Sequence, residues 1–138
     1  KILKPSKIFM GEKDFQQLFL VKKFIETNFK SKIIPCKTIR DKNKLALSSR
    51  NLLLKKKDII KAGKISRELI SFKKKLSKKN FTNKIIRFKK NELEKLYGIN
   101  IEYLEVRNIK NLQLSNKIRN SRVFLAYYLN EIRLIDNF

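Results

Sequence analysis

The 138-residue sequence contains no histidine and no tryptophan, and it has only one cysteine, two prolines and three glycines. Without histidine, these residues alone build no Ser-His-Asp or Cys-His pair, no histidine-ligated zinc site and no imidazole acid or base. The lone Cys36 has no disulfide partner within the chain and no base to activate it, so it is interpreted as an apolar strand residue. Any catalysis by these residues is therefore electrostatic or uses groups from elsewhere.

The remaining composition is that of a folded chain. With 42% hydrophobic residues and so little glycine and proline, the sequence differs from disordered and collagen-like chains. Its length suits one ordinary domain or two small ones. There is no secretory signal and no apolar run of about 18 residues, which predicts a cytoplasmic protein without membrane contact. Because residue 1 is lysine, we expect the sequence to be a fragment or a processed piece.

The charge is the most unusual feature that is present. Lys and Arg number 35 against 12 Asp and Glu, a formal charge of +23, which taken alone indicates a polyanionic partner. However, Lys, Ile and Asn together make up 58 residues, and their codons are rich in A and T, so mutational bias would give the same excess. The lysines are dispersed without interleaved aromatics. A lysine-rich nucleic-acid-binding module remains the alternative hypothesis, and no specific nucleic-acid partner is predicted.

Apolar patterning in the first 47 residues predicts a strand, a helix and a second strand with short joints. The first strand ends at residues 7–10, before Gly11. Residues 14–29 carry apolar side chains at helical spacing, and the extended apolar run 33–39 contains Pro35, which suits an edge position. Short joints between these elements indicate a βαβ crossover of a parallel sheet.

Beyond a polar turn at residues 41–44, the pattern changes to α+β. Residues 59–76 predict a long amphipathic helix, although Gly63 weakens it by about 1 kcal/mol. Thr82 is a candidate N-cap for a second helix that runs to residue 97 and stops at Gly98. The predicted antiparallel strands are residues 99–106, 123–129 and 133–136. We place the domain boundary between residues 1–47 and 48–138.

Two polar segments are candidates for chemistry. Residues 11–17 join a strand end to a helix start, where free N–H groups attract anions and Gly11 admits a ligand to the backbone. Lys13 and Gln17, four apart, are predicted to project from one helical face, with Asp14 suited to sugar hydroxyls. The same pattern is also typical of a plain helix cap at Asp14 with polar surface around it.

The second candidate is the serine loop, residues 47–50, Leu-Ser-Ser-Arg. Two hydroxyls and a guanidinium on a loop after a strand supply compact donors for phosphate oxygens, and Arg binds such oxygens in bidentate fashion. An ordinary turn with Ser48 as its cap explains the same residues.

These segments resemble successive motifs of one enzyme family. Residues 11–18 read Gly-Glu-Lys-Asp-Phe-Gln-Gln-Leu, residues 45–51 Leu-Ala-Leu-Ser-Ser-Arg-Asn and residues 133–137 Arg-Leu-Ile-Asp-Asn. In order and spacing they are similar to the motifs of the pantothenate synthetase (pantoate–β-alanine ligase) family, which Glu-Val-Arg at 105–107 also resembles. The resemblance implies an α/β fold: the last βαβ portion of a Rossmann-like nucleotidyltransferase domain, then a small α+β C-terminal lid domain of two helices on an antiparallel sheet.

The resemblance further implies ATP-dependent condensation of pantoate with β-alanine through pantoyl adenylate, assisted by Mg²⁺ and releasing AMP and pyrophosphate. Lys13 and Arg50 are the implied catalytic cations, and Asp14 faces the ribose. Gln17 hydrogen-bonds pantoate, and the backbone of Ile39 meets the nucleotide base. No side chain is assigned to the metal. The implied ATP-binding residues are Gly11, Glu12, Lys13, Asp14, Ile39, Leu47, Ser48, Ser49 and Arg50.

The sequence also departs from the family pattern. The family's His-x-Gly-His motif and a second pantoate-binding glutamine are missing, so we expect a C-terminal part of the enzyme that is inactive alone. The family's homodimer is not expected to form through this part, which should also expose an apolar strand edge and face. Asn43-Lys44 stands where the family commonly has Asp-Gly, which puts the turn before the serine loop in doubt.

Overall fold

The computed structural model of the chain describes residues 4–76 and 81–138. The chain divides into two compact units, residues 1–39 (unit 1) and residues 40–138 (unit 2). None of the helices in the described ranges is long and apolar enough to cross a membrane.

Unit 1 is a strand, a helix and a parallel strand. Its elements are β1 (Lys7–Gly11), a 3₁₀ turn (Glu12–Asp14), α1 (Phe15–Asn28) and β2 (Lys32–Cys36). The two strands pair in parallel from Lys7 opposite Lys32 to Gly11 opposite Cys36. This arrangement confirms the predicted βαβ crossover. The second strand is shorter than predicted, because it ends at Cys36 and residues 37–39 have no strand partner among the described residues.

Few apolar side chains are buried in unit 1. Among its described hydrophobic residues, only Leu18 and Ile33 are fully buried. Phe9 on β1 is 67% exposed, and Leu20 and Phe24 on α1 are 62% and 60% exposed. Two short strands and one helix cannot cover both faces of a parallel pair, which is why Phe9 remains at the surface. The exposure of Phe9 agrees with the predicted exposed apolar strand face, and the exposed leucine and phenylalanine of α1 add apolar surface on the helix.

Unit 2 packs two helices with a three-stranded antiparallel sheet. After a 3₁₀ turn (Ser49–Leu53) come α2 (Lys56–Leu76), α3 (Asn83–Tyr97), β3 (Asn100–Asn108), β4 (Ser121–Leu129) and β5 (Ile132–Asn137). The strand order is β3-β4-β5, with both pairs antiparallel. The predicted α+β arrangement is therefore confirmed, with element ends that differ from the predicted ones by a few residues.

A single core runs through unit 2. The apolar face of α2 buries Ala62, Ile65 and Leu69 completely, as the helical spacing predicted. Thr82 occupies the N-cap position of α3, although its side chain makes no capping hydrogen bond, and Gly98 ends the helix in the left-handed conformation at φ 57°. Other core members are Leu93, Ile101, Leu104, Val106, Val123, Leu125, Tyr127, Leu129 and Leu134.

The limit between the two compact units falls earlier than the sequence-based boundary after residue 47. Residues 40–47 belong to unit 2 because Arg40 pairs with Ala46 in a β-bridge and with Asp136 in an ion pair. Leu45 and Ala46 are also buried, and Leu45 is part of the unit 2 core.

Candidate active site

The strand-to-helix turn of unit 1 leaves open space at its glycine. Gly11 has φ −70° and ψ 133°, a conformation that any residue adopts, and a Cβ built there meets no atom within 4 Å. Neither backbone strain nor packing within the described residues therefore requires glycine at this position. This open space is compatible with a ligand that approaches the backbone closely at Gly11.

Asp14 stands at the N-cap position of α1 but does not act as a cap. Its side chain accepts no hydrogen bond from the helix, and its φ −97° and ψ 57° are not those of an ordinary cap. The side chain is 51% exposed, and its carboxylate lies 3.9 Å from the Nζ of Lys13. The plain-cap interpretation of Asp14 therefore lacks its hydrogen bond, and the carboxylate remains accessible to a ligand.

One sequence-based prediction about this turn was wrong. Lys13 and Gln17 were predicted to project from one helical face, but α1 begins at Phe15 and Lys13 lies in the preceding 3₁₀ turn. The non-helical backbone of Asp14 separates the two, so the four-residue spacing of an α-helix does not apply. Gln17 is exposed in the first turn of α1, where the helix's unpaired N–H groups lie.

In unit 2, the serine loop leads into a 3₁₀ turn. Ser48 is extended, and its Oγ accepts a hydrogen bond from the backbone N–H of Arg50 at 3.3 Å, so the predicted cap is present. Accepting this bond leaves the hydroxyl proton available for donation. Ser49 is exposed, at the first position of the 3₁₀ turn. Capping by Ser48 and donation to a phosphate oxygen are thus compatible.

Arg50 lies against the last strand of the sheet. Its Nη1 donates to the carbonyl oxygen of Arg133 at 3.0 Å, while the residue as a whole is exposed. A guanidinium has five N–H groups, so this contact leaves capacity for an anion. The Arg133 side chain pairs with Glu102, Nε to Oε2 at 2.6 Å, and this hydrogen bond lowers the pKa of Glu102 and raises the pKa of Arg133.

A second arginine, which the sequence did not single out, holds the segment that leads to this loop. Arg40 forms a bidentate ion pair with Asp136 of β5, at 2.7 and 2.9 Å. It also donates to the carbonyl oxygens of Lys44 and Asn137, at 3.0 and 3.1 Å. Its guanidinium carbon lies 4.8 Å from the centroid of the Phe138 ring. Part of the C-terminal motif therefore contacts the segment before the serine loop, 96 residues earlier in sequence.

The turn at residues 41–44 has two unusual features. Lys44 has φ 70°, the left-handed conformation that a glycine adopts without strain. Gly63 of α2 faces the same turn, since a Cβ built on it lies 2.6 Å from the Cβ and 2.8 Å from the carbonyl oxygen of Asn43. Arg67, one turn along α2, donates to that carbonyl oxygen at 3.0 Å. The turn therefore rests directly on the helix at Gly63.

The other implied nucleotide contacts are at the surface. Ile39, the last residue of unit 1, is 71% exposed, and Leu47 of unit 2 is 53% exposed. Across residues 4–76 and 81–138, no group of three or more His, Cys, Asp or Glu side chains is placed to hold a metal ion.

Comparison with known proteins covers the whole chain. The family model of pantoate-beta-alanine ligase matches residues 1–138. The chain belongs to the pantoate-beta-alanine ligase family. The pantothenate synthetase of Flavobacterium psychrophilum is 36% identical over 141 residues, which cover 99% of this chain and 50% of the relative. That of Francisella tularensis subsp. mediasiatica is 38% identical over 140 residues, which cover 100% of this chain and 45% of the relative.

Solved structures of the family share the fold. Pantothenate synthetase from Thermus thermophilus matches with a TM-score of 0.85 and 27% identity, over 97% of this chain and 49% of that one. Pantoate-beta-alanine ligase from Francisella tularensis, complexed with beta-gamma ATP and beta-alanine, matches with a TM-score of 0.70 and 34% identity, over 98% and 44%. The predicted family and fold class are confirmed, and the chain spans about half the length of the relatives it matches. These matches give no support to the nucleic-acid alternative.

Proposed function

We propose that this chain contributes to the ATP-dependent condensation of pantoate with β-alanine. In the first step the pantoate carboxylate attacks the α-phosphorus of ATP and pyrophosphate leaves. In the second step the β-alanine amine attacks the acyl carbon and AMP leaves. The observation that carries this proposal is the family match over all of residues 1–138. Because the chain spans about half of its relatives, the reaction of the whole protein is a proposal for this chain.

In unit 1, the proposed roles follow the geometry of the turn after β1. The nucleotide approaches the backbone at Gly11, where no Cβ stands in its way. The half-exposed carboxylate of Asp14 accepts hydrogen bonds from ribose hydroxyls, and Lys13 supplies positive charge to the phosphates. Gln17, exposed in the first turn of α1, hydrogen-bonds pantoate. Glu12 completes the proposed ATP-binding turn.

In unit 2, the serine loop provides the proposed donors for phosphate oxygens. Ser48 and Ser49 donate from their hydroxyls, and Arg50 donates from the N–H groups that Arg133 does not use. Adenylation builds negative charge on the departing pyrophosphate, and one preorganised donor at such a position contributes about 3 kcal/mol to the transition state. Exposed Ile39 and Leu47 complete the proposed nucleotide contacts. Lys13 and Arg50 are the proposed catalytic residues.

Magnesium belongs to this proposal as part of the substrate. Mg²⁺ in nucleotide sites is held by phosphate oxygens, waters and one or two carboxylates, and not by an all-protein cage. Bound to ATP, the ion neutralises phosphate charge. We assign no side chain of this chain to it.

Site-resolved chemical modification tests the nucleotide site on the chain as it is. The chain is treated with an amine acylating reagent and with phenylglyoxal, with and without MgATP, and each site is quantified by mass spectrometry. We expect MgATP to slow modification of Lys13 and Arg50 several-fold relative to Lys22 and Arg87, which are exposed outside the proposed site. Equal rates with and without MgATP would contradict the proposal. Protection of lysines throughout α2 by duplex DNA, lost steeply with added salt, would favour the nucleic-acid alternative.

Turnover by the chain alone is the second test. The 138 residues contain no histidine, whereas the family resemblance implies a His-x-Gly-His nucleotide motif. We therefore propose that these residues alone form no pantothenate and do not form the family's homodimer. Detecting pantothenate in a reaction of the purified chain with pantoate, β-alanine and MgATP would contradict this expectation.

A cytoplasmic location is part of the proposal, because ATP is available there.

A further inference from the structure

Both ends of the segment that carries the serine loop contact β5. At its start, the Arg40 guanidinium contacts Asp136 and Asn137. At its end, Arg50 donates to the carbonyl oxygen of Arg133 on the same strand. The serine loop therefore spans between two attachment points on one strand, and β5 itself is held by antiparallel pairing with β4.

The attachment at Arg40 is the stronger of the two. Its guanidinium donates to four acceptors: two carboxylate oxygens of Asp136 and the carbonyl oxygens of Lys44 and Asn137. The side chains of Arg40 and Asp136 are 18% and 5% exposed, so solvent screens this pair less than a surface ion pair. Planar bidentate pairing of this kind is specific to arginine, because lysine carries a single ammonium group.

Arg40 also fixes the path of the chain between the attachment points. The hydrogen bond from Arg40 to the carbonyl oxygen of Lys44 crosses the turn at residues 41–44. Within the turn, the Asp41 carboxylate accepts a hydrogen bond from the backbone N–H of Leu45 at 2.9 Å. Pairing of Arg40 with Ala46 then brings the chain to the start of the serine loop. The side-chain amide of Asn51 donates a hydrogen bond to the carbonyl oxygen of Ala46 at 3.0 Å. This bond connects the residue after the serine loop to the residue before it.

We propose that Arg40, held by its bidentate ion pair with Asp136 (the clasp), is a positioning residue that keeps the serine loop in the conformation that binds phosphate. The phosphate-binding role of the loop in this proposal rests on the proposed function. The clasp does not, because both of its residues lie within unit 2. Arg40 acts through the loop backbone, and it needs no contact with the substrate. The C-terminal motif thereby acquires a role in the reaction through Asp136.

Hydrogen exchange on the full chain tests the clasp without any ligand. Amides of Arg50 and Asn51, which donate to Ser48, report on the loop, and amides inside α2 report on unit 2 as a whole. We expect Arg40→Lys and Asp136→Asn each to speed exchange at Arg50 and Asn51 about tenfold while α2 amides change much less. The matched control is Lys89→Gln, which breaks a partly buried ion pair with Glu68 and is expected to leave the loop amides unchanged.

A double-mutant cycle separates the clasp from two unrelated effects. Because both substitutions remove the same pair, Arg40→Lys with Asp136→Asn should speed loop exchange little more than either alone. Additive effects would contradict a shared clasp. Equal acceleration in the loop and in α2, or an unchanged loop, would reduce Arg40 to general stability and overturn the proposal.

Binding of inorganic tripolyphosphate then connects the clasp to the proposed function. We expect Arg40→Lys to weaken tripolyphosphate binding about fivefold, with Lys89→Gln unchanged. If the unsubstituted chain shows no binding at the loop while the exchange results hold, the proposed phosphate role fails and the proposal for Arg40 is overturned with it, although the structural clasp stands. If binding occurs but Arg40→Lys leaves it unchanged, the positioning proposal fails and the proposed function survives.

Discussion

The two compact units of this chain bury apolar surface very differently. In the described part of unit 1, only Leu18 and Ile33 are fully buried hydrophobic residues, and Phe9 and Leu20 are more than 60% exposed. Unit 2 has a continuous core in which Ala62, Ile65 and Leu69 have no exposed surface. A parallel pair of strands needs cover on both faces, whereas an antiparallel sheet is stable with helices on one face only.

The candidate segments of the two units therefore depend on different kinds of contact. The turn at residues 11–14 depends on local backbone conformation, since little packing surrounds it within unit 1. The serine loop is held by the contact of Arg50 with β5, and the turn before it is held by contacts of Arg40 with β5 and of Asn43 with α2. Substitutions in the two units should therefore differ in their effect on the free energy of unfolding.

The largest expected effect is at the centre of the unit 2 core. Leu69→Ala should lower the free energy of unfolding of unit 2 by about 3 kcal/mol, because it leaves a cavity beside fully buried neighbours. The control in unit 1, Leu20→Ala, removes a side chain that is 62% exposed and should change stability by less than about 0.5 kcal/mol. Urea unfolding followed by circular dichroism measures both. Similar losses in the two variants would remove the contrast between the units.

The two glycines sharpen the comparison at the level of single contacts. Gly63→Ala places a Cβ 2.6 Å from the Cβ of Asn43 and should cost about 2 kcal/mol, because backbone must shift. Gly11→Ala meets nothing within 4 Å and should leave stability unchanged, while it obstructs the proposed approach of ATP. Thermal unfolding of both variants is the measurement. A destabilised Gly11→Ala would show that unit 1 packs against this position.

Lys44 offers a stabilising substitution. At φ 70°, lysine holds a strained backbone conformation, so Lys44→Gly should raise the free energy of unfolding of unit 2 by about 1 kcal/mol. Lys42→Gly, in the same turn but not at positive φ, should lower it slightly. A denaturant titration of the two variants checks the difference in sign. Stabilisation by both substitutions would place the strain elsewhere in the turn.

The smallest expected effect concerns pH. Burial, together with a hydrogen bond to Glu68, raises the pKa of Tyr97 to about 12 from an ordinary value of 10.0. Because the folded pKa lies above the unfolded one, this contact stabilises fully below pH 10 and its contribution is lost as pH rises to about 12. The stability difference between the unsubstituted chain and Tyr97→Phe should therefore shrink from about pH 9 to about pH 12. A constant difference would contradict this linkage.

Local patterns predicted most of the fold. The βαβ crossover, the α2 stripe and the left-handed stop at Gly98 all follow from spacing and composition within short stretches of sequence, and the structure has each of them. The helix start was predicted too early, because the backbone of Asp14 breaks the helix and no pattern in the sequence marks that break.

Long-range contacts were not predictable in the same way. Arg40 and Asp136 are 96 residues apart, and nothing in either local sequence marks them as partners. Gly63 was interpreted as a weak point of a helix, whereas in the structure it allows the turn at Asn43 to approach. Asn43-Lys44 stands where the family commonly has Asp-Gly, so Lys44 occupies the glycine position, and its φ is positive. This departure was the one local signal of an unusual backbone in the turn.

The central claim, that Lys13 and Arg50 serve adenylation, is tested most directly in a chimera. This chain replaces the matching half of the Flavobacterium psychrophilum pantothenate synthetase, and pantoate-dependent exchange between ATP and pyrophosphate is measured without β-alanine. We expect exchange in the chimera, and a loss of about 100-fold in Lys13→Ala and in Arg50→Ala, with Lys22→Ala as an unaffected control. Exchange that is unchanged in both variants, with only the later transfer to β-alanine lost, would contradict the claim.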